Sequence, residues 1–310
     1  MLELNVWATT HIGNVKPDNE DAVTVFGFAS QSDSGDILKA SKSTNQPCLV
    51  AIADGVGGEA FGQRASRAVV EYLHTHRKRF FTGAAQDVLI DADLHLRSIM
   101  EAEPSTVGMA TTVVGLFAHE DNVVLFNVGD SECFRWNGDF LSRITTTHAA
   151  ISDDSDRKAG LTQVLGGRHD RSTRPLEPYA EYFSIADGDQ LLLCSDGLTD
   201  CVDKRTIERI LAARAHLGTV VADLVTEALR ASGKDNISII MVEVVDPALR
   251  ASEERHRLEA AIRSTIVTPE PPAEPPRRGF KAWLKKQLKR TRDQPADTEE
   301  HDDRPRSEMQ

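Results

Sequence analysis

Cysteine is scarce in this chain: 310 residues hold four, Cys48, Cys133, Cys194 and Cys201, with no C-x-x-C spacing. That scarcity argues against a disulfide scaffold or a thiolate zinc site and leaves the four as small apolar residues of a reducing compartment. No apolar run reaches membrane-spanning length, and Met1 to Asn5 show no basic segment followed by an apolar core. Neither a spanning helix nor a secretory leader is expected, which places the folded part in the cytoplasm. Basic residues are the minority charge, 36 Lys and Arg against 48 Asp and Glu, for a formal net charge of -12. Nucleic-acid binding, which wants a basic face, is not expected of such a chain.

Against these absences stands a hydrophobic fraction of 40%, enough for a substantial core. The reading turns on one stretch, Leu49-Val50-Ala51-Ile52-Ala53-Asp54-Gly55-Val56-Gly57-Gly58. Five apolar residues in a row read as a buried strand. Asp54 stands where that strand leaves the core, and a carboxylate there needs a partner, a cation being the simplest. The glycines let the backbone turn sharply and bring a main-chain carbonyl close to whatever the carboxylate holds. Leu191-Leu192-Leu193-Cys194-Ser195-Asp196-Gly197 repeats the pattern far downstream. Singly, each Asp-Gly is an ordinary turn dipeptide; as a pair, they point to two buried strands delivering acids to one place.

Taken in order, residues 4–12 and 22–29 read as strands, rich in β-branched and aromatic residues. The loop between them sets Lys16 ahead of the adjacent acids Glu20 and Asp21, which need positive charge nearby if both are used. Read blandly, it is a solvated turn. Residues 30–46 suit a surface loop, 60–80 and 84–102 show helical spacing, and 109–144 read as a β-meander containing Gly129-Asp130-Ser131. Residues 145–178 are polar and too long for a simple connection, which suggests a flap. Strands at 179–186 and 191–195, helices at 203–215 and 219–231, and a strand at 237–242 introduced by Asp235-Asn236 complete the folded part. Strands in runs and helices in pairs, without βαβ alternation, point to an α+β protein with antiparallel sheets packed between helix layers.

With these pieces assembled, the sequence resembles the metal-dependent PPM family of protein serine/threonine phosphatases, the protein phosphatase 2C-like enzymes, in its bacterial form. The resemblance is carried by Lys16-x-x-x-Glu20-Asp21, Asp54-Gly55-Val56-Gly57-Gly58, Met109-Ala110-Thr111-Thr112, Val128-Gly129-Asp130-Ser131, Leu165-Gly166-Gly167, Ser195-Asp196-Gly197-x-x-Asp200 and Asp235-Asn236. These motifs stand in the family's order from residue 5 to about 245. The resemblance implies a four-layer α-β-β-α sandwich of two antiparallel sheets flanked by helix pairs, with a binuclear Mn²⁺ or Mg²⁺ centre at one edge. It also implies that Asp54 bridges both ions, the Gly55 carbonyl binds one, Asp196 and Asp235 hold the other, and Glu20 and Asp21 act mostly through coordinated water. A third, weaker ion would use Asp130 and Asp200. Oxygen ligands without histidine or thiolate suit Mn²⁺ or Mg²⁺, and two such ions activate a water for in-line attack without a covalent phosphoenzyme. Ser195 and Cys194 are then not nucleophiles but packing residues.

Three departures stand out. Lys16 replaces the family's usual arginine, keeping the charge that would meet the substrate phosphate but losing the bidentate fork. Glu132 replaces the usual arginine after Gly-Asp-Ser, and nothing in the sequence accounts for it. Val56 stands where animal members often carry a histidine. The function implied is hydrolysis of phosphoserine and phosphothreonine on phosphorylated proteins, opposing a bacterial Ser/Thr kinase, by a monomer. The alternative is a phosphatase-like domain that has lost turnover and binds phosphoproteins; an unrelated two-metal nuclease is disfavoured by the acidic charge.

The catalytic domain is expected over 1–247 and a tail over 248–310. In the tail, 248–267 suit a helix and 269–276 a stiff polyproline spacer, while 277–292 carry eight basic residues and no acid. Phe280, Trp283, Leu284 and Leu288 share one face of that basic segment. Such a helix suits the inner face of an anionic membrane, an acidic partner, or the acidic catalytic domain itself. The bland alternative is a solubilising disordered tail.

Overall fold

The structure, a computed structural model, describes residues 1–56, 61–82, 84–120, 122–150, 160–168, 170, 172, 174–213, 216–265 and 280–290. Its strands begin with β1 (Glu3–His11), β2 (Ala22–Val25), β3 (Phe28–Ser30), β4 (Leu38–Ser43), β5 (Cys48–Ala53) and β6 (Gly55–Val56). Helices α1 (Gly62–His76) and α2 (Ala85–Ala102) follow, then β7 (Ala110–Thr111), β8 (Val113–His119), β9 (Asn122–Val128), β10 (Glu132–Trp136) and β11 (Leu141–Arg143). After β12 (Leu165–Gly166), β13 (Tyr179–Phe183) and β14 (Gln190–Cys194) come α3 (Asp196–Thr199), α4 (Lys204–Ala212) and α5 (Leu217–Ala231). The last elements are β15 (Ile237–Val245), α6 (Pro247–Thr265) and α7 (Phe280–Arg290). The chain divides into two compact units, Met1–Glu254 and Arg255–Gln310.

Within the first unit, two six-stranded sheets are ordered β11-β10-β14-β15-β1-β4 and β13-β9-β8-β5-β2-β3, with antiparallel pairing throughout. The unbroken apolar strands are explained by burial on both faces. In β14, Leu191 and Leu193 join the core between the sheets while Leu192 and Cys194 pack towards α4 and α5. In β5, Cys48, Val50 and Ile52 face the inter-sheet core, and Leu49 and Ala51 pack under α1 and α2. The period-2 alternation thus divides each strand between two cores, giving the four-layer α-β-β-α sandwich.

Register also sets which strand ends coincide. Ala22 pairs with Ala53, so Asp21 and Asp54 flank one end of the second sheet. Cys194 pairs with both Ile239 and Glu132, so Asp196, Asp235 and Asp130 gather at one end of the first sheet.

Three expectations need correction. Residues 22–29 are a hairpin, not one strand, because Phe26 (φ 52°) and Gly27 (φ 108°) both turn through positive φ between β2 and β3. The loop expected over 30–46 contains β4, whose Leu-Lys-Ala-Ser-Lys-Ser is an edge strand with alternating partial exposure, so it shows no apolar run. The meander expected over 109–144 changes sheets: β8 and β9 lie in one sheet and β10 and β11 in the other. The crossing falls at Gly129 (φ 108°), where a Cβ would sit 2.6 Å from the Thr112 side chain. This crossing swings Asp130 to the end of the sandwich where the other acids stand.

Candidate metal centre

Asp54 leaves β5 into a turn held by its neighbours. The Asp54 carbonyl accepts from Thr111 Oγ1 and from the Thr112 amide, both at 2.8 Å, and the Asp54 amide donates to Thr112 Oγ1 at 3.2 Å. Thr112 Oγ1 in turn lies 2.8 Å from Ser131 Oγ, which ties the Asp54 turn to Asp130-Ser131. The threonines of Met-Ala-Thr-Thr therefore fix one acid's turn and abut the next.

Asp21 is held more tightly still. It is buried, its Oδ2 accepts from Ser195 Oγ at 2.9 Å, and Ser195 Oγ accepts from the Ser238 amide at 3.0 Å. Ser195 was expected to be strand-end packing; it is instead the hydrogen-bond partner of a buried carboxylate. The Asp21 Oδ1 atom is buried with no hydrogen-bond partner among the described residues. Such an orphaned carboxylate oxygen costs free energy unless something positive faces it. The signal in the sequence was a hydroxyl directly before Asp196 at the end of an apolar run, a place where packing alone favours no hydroxyl.

Charge measures how closely these acids gather. Burial, and then the neighbouring charges of Asp21, Asp196, Asp235 and Asp130, push the Asp54 carboxyl well above its ordinary range. Asp21 is raised to about 7 by burial, with Asp196 and Asp235 adding to the rise and the hydroxyls of Ser238 and Ser195 opposing it. Glu20 is raised by burial and by Asp235 and Asp18, against the pull of Lys16. Carboxylates crowded so that Asp54 and Asp21 resist ionisation at a sheet edge fit divalent cations better than they fit each other. Among the described residues no three acidic, histidine or cysteine side chains are arranged to enclose an ion as they stand.

Lys16 is the cation among them. Its Nζ lies 2.7 Å from Asp235 Oδ1, which also accepts from the Asn236 amide at 2.9 Å. Burial works against the ammonium, but the Asp235 hydrogen bond and charge, with Glu20 and Asp54 beyond, hold its pKa above the ordinary value. Asn236 binds the loop that carries Lys16 and Glu20, its amide group donating to the carbonyls of Ile12 and Asp18 and its Oδ1 accepting from the Glu20 amide. Gly197 packs against this corner, where a Cβ would meet the Asn236 carbonyl oxygen at 1.9 Å, so only glycine fits. The Gly55 amide donates to the Glu20 carbonyl at 3.2 Å, which closes the corner from the other sheet.

Asp200 caps the C-terminal end of α3, one turn from Asp196, and its amide donates to the Asp196 carbonyl. Glu132, unexplained in the sequence, accepts from Arg143 Nη1 at 2.7 Å and Thr147 Oγ1 at 3.2 Å, joining β10 to the start of the long segment after β11. His148 of that segment binds Gly129 in both directions, and β12 pairs with β7 beside the Asp54 turn. Part of the flap expectation, residues 151–159, lies outside the described residues, as do Gly57 and Gly58.

Known proteins resemble this chain in sequence and fold. A sequence profile of protein phosphatase 2C matches residues 29–232. The serine/threonine phosphatase Stp of Listeria monocytogenes is 28% identical over 255 residues, covering 76% of this chain and 93% of its own. The serine/threonine protein phosphatase PstP of Mycobacterium tuberculosis is 29% identical over 244 residues, 72% of this chain and 46% of PstP. A crystal structure of the PstP catalytic domain in complex with two manganese ions aligns with a TM-score of 0.62 and 27% identity, covering 79% of this chain and all of that one. The profile spans most of the acid-bearing unit and the fold is held in common, so the chain belongs to the protein phosphatase 2C family, in its bacterial PPM-type form.

Proposed function

We propose that this chain hydrolyses phosphoserine and phosphothreonine monoesters on proteins, in a metal-dependent reaction. The observation that carries the reading is the convergence of Asp21, Asp54, Asp130, Asp196 and Asp235 at one end of the double sheet, where the other four raise the proton affinity of Asp54, and Asp196 and Asp235 raise that of Asp21. Bound there, two divalent cations supply a water of lowered pKa and offset charge on the phosphoryl oxygens. Asp54, the Gly55 carbonyl, Asp196 and Asp235 would hold them, with Glu20 and Asp21 behind, and Asp130 and Asp200 would serve a third. The all-oxygen donor set suits Mn²⁺ or Mg²⁺. Lys16 presents one ammonium at the rim, where it meets a phosphate oxygen as a point charge. Ser195, itself held by the Ser238 amide, binds one Asp21 oxygen and leaves the other buried without a hydrogen-bond partner among the described residues. The non-catalytic alternative is not favoured, because every ligand acid is present.

The catalytic domain covers 1–247 and works as a monomer in the cytoplasm, reversing a Ser/Thr kinase; residues 248–310 are a tail. In α7, Trp283, Leu284 and Leu288 are exposed and flanked by Lys281, Lys285, Lys286 and Lys289, a pattern suited to an anionic lipid surface. Flotation of the full-length chain with phosphatidylserine vesicles, against a chain ending at Val267, tests the tail; equal recovery in the aqueous fraction refutes lipid contact. For the activity, Mn²⁺-dependent hydrolysis of para-nitrophenyl phosphate and of a phosphothreonine peptide is the test. Absence of turnover at any Mn²⁺ or Mg²⁺ concentration refutes it.

A further inference from the structure

Beside the acid cluster runs a groove of about 370 Å³ between β10, β11 and the α3–α4 turn. Its floor is apolar and closed, made by Phe134, Leu141, Val202 and Ile207, each less than a tenth exposed. Its near rim shares elements with the candidate centre: Glu132, paired with Cys194 at the acid-bearing end of the sheet, lies two residues after Asp130, and Thr199 stands between Asp196 and Asp200. Both rim acids are already engaged, Glu132 by Arg143 and Thr147, and Asp203 by the amide and hydroxyl of Thr206 at the start of α4. The rim cations are paired in the same way, Arg143 with Glu132 at 2.7 Å and Lys204 with Glu208 at 3.9 Å, so the rim charges balance and the apolar floor is what distinguishes the groove. An apolar slot with a charge-balanced rim, sharing β10 and α3 with the acids of the phosphate site, suits an apolar side chain of an extended phosphopeptide held at that site.

Resting on the phosphatase reading, we propose that this groove is a substrate subsite that takes one apolar side chain two or three residues from the phosphorylated residue. An extended peptide advances roughly 3.3 Å per residue, and the rim begins two to three residues along the chain from Asp130 and Asp196. Glu132 has its place here: anchored by Arg143, it carries no open charge into the slot and fixes β11 as the groove's wall. An arginine at that position would instead meet Arg143 across the strand pair.

The test uses the full-length protein with Mn²⁺ and phosphothreonine peptides on a glycine-serine background, leucine being placed at each flanking position in turn. Para-nitrophenyl phosphate, too small to reach the groove, is measured alongside. Leucine raises kcat/KM by about 10-fold at one position two or three residues from the phosphothreonine and by little elsewhere. In Lys204→Trp and, independently, Thr199→Phe, which fill the groove from its rim, that gain disappears while turnover of the small substrate stays unchanged. A flat leucine scan, or a gain that survives both fillings, overturns the subsite while the phosphatase reading stands. Loss of turnover on both substrates in the wild type overturns the phosphatase reading itself, and the subsite with it.

Discussion

Asp21 shows what a single residue contributes and what it costs. Its folded pKa, about 7, lies above the ordinary carboxylate value, so the folded chain keeps a proton that the unfolded chain gives up. By linkage that contribution to stability is present in full below the unfolded pKa and is lost as pH rises through about 7. With chelator present, the melting temperature therefore falls between pH 5.5 and 7.5, and Asp21→Asn flattens the fall; an unchanged slope in the variant refutes the assignment. Asp54→Asn separates function from stability at the next acid. It removes a charge that four aspartates oppose, so the metal-free variant melts higher by roughly 0.5–2 kcal/mol of added stability. Mn²⁺-dependent turnover drops by at least roughly 10²-fold. The acids themselves were legible because each ends or begins an apolar run with Asp-Gly or Asp-Asn. Their supports were not: Ser195, Ser238, Thr111 and Thr112 act through hydrogen bonds across 43 to 174 residues of sequence separation, which no local pattern encodes.

At the scale of elements, the buried strands and both helix pairs could be read from apolar runs and helical spacing, since each buries a long stretch. What escaped reading were features defined by partners rather than by composition. The edge strand β4 owes its strand to pairing with β1, not to its own polar residues. The Phe26–Gly27 turn places an aromatic where a hairpin usually has Asn or Asp. The sheet change at Gly129 resembles any tight turn in sequence, yet it decides where Asp130 lies. Gly129→Ala is therefore expected to act twice. It forces a side chain onto positive φ and against Thr112, costing about 1–3 kcal/mol in urea or thermal unfolding. It also disturbs the Thr112–Ser131 contact, lowering turnover at temperatures where the variant remains folded. Full activity in a merely destabilised variant would show that Asp130 is not positioned by this turn.

For the whole molecule, charge ties the fold to its ions. The chain carries a formal net charge of -12, and two divalent cations offset a third of that excess where acids crowd around Asp54. Binding to the folded state alone stabilises it by mass action, about 2.7 kcal/mol when the free ion stands at 100 times Kd. For a folded unit of this size that raises Tm by roughly 5–10 °C. Every acid of the cluster lies within the Met1–Glu254 unit, so a chain ending at Val267 shows the same Mn²⁺-induced shift as the full-length protein. Asp54→Asn, which removes the central carboxylate, loses most of it. Differential scanning calorimetry with and without Mn²⁺ reads all three. An equal shift in Asp54→Asn would mean that the ions stabilise the chain elsewhere, and the acid cluster would then need another explanation for its crowding.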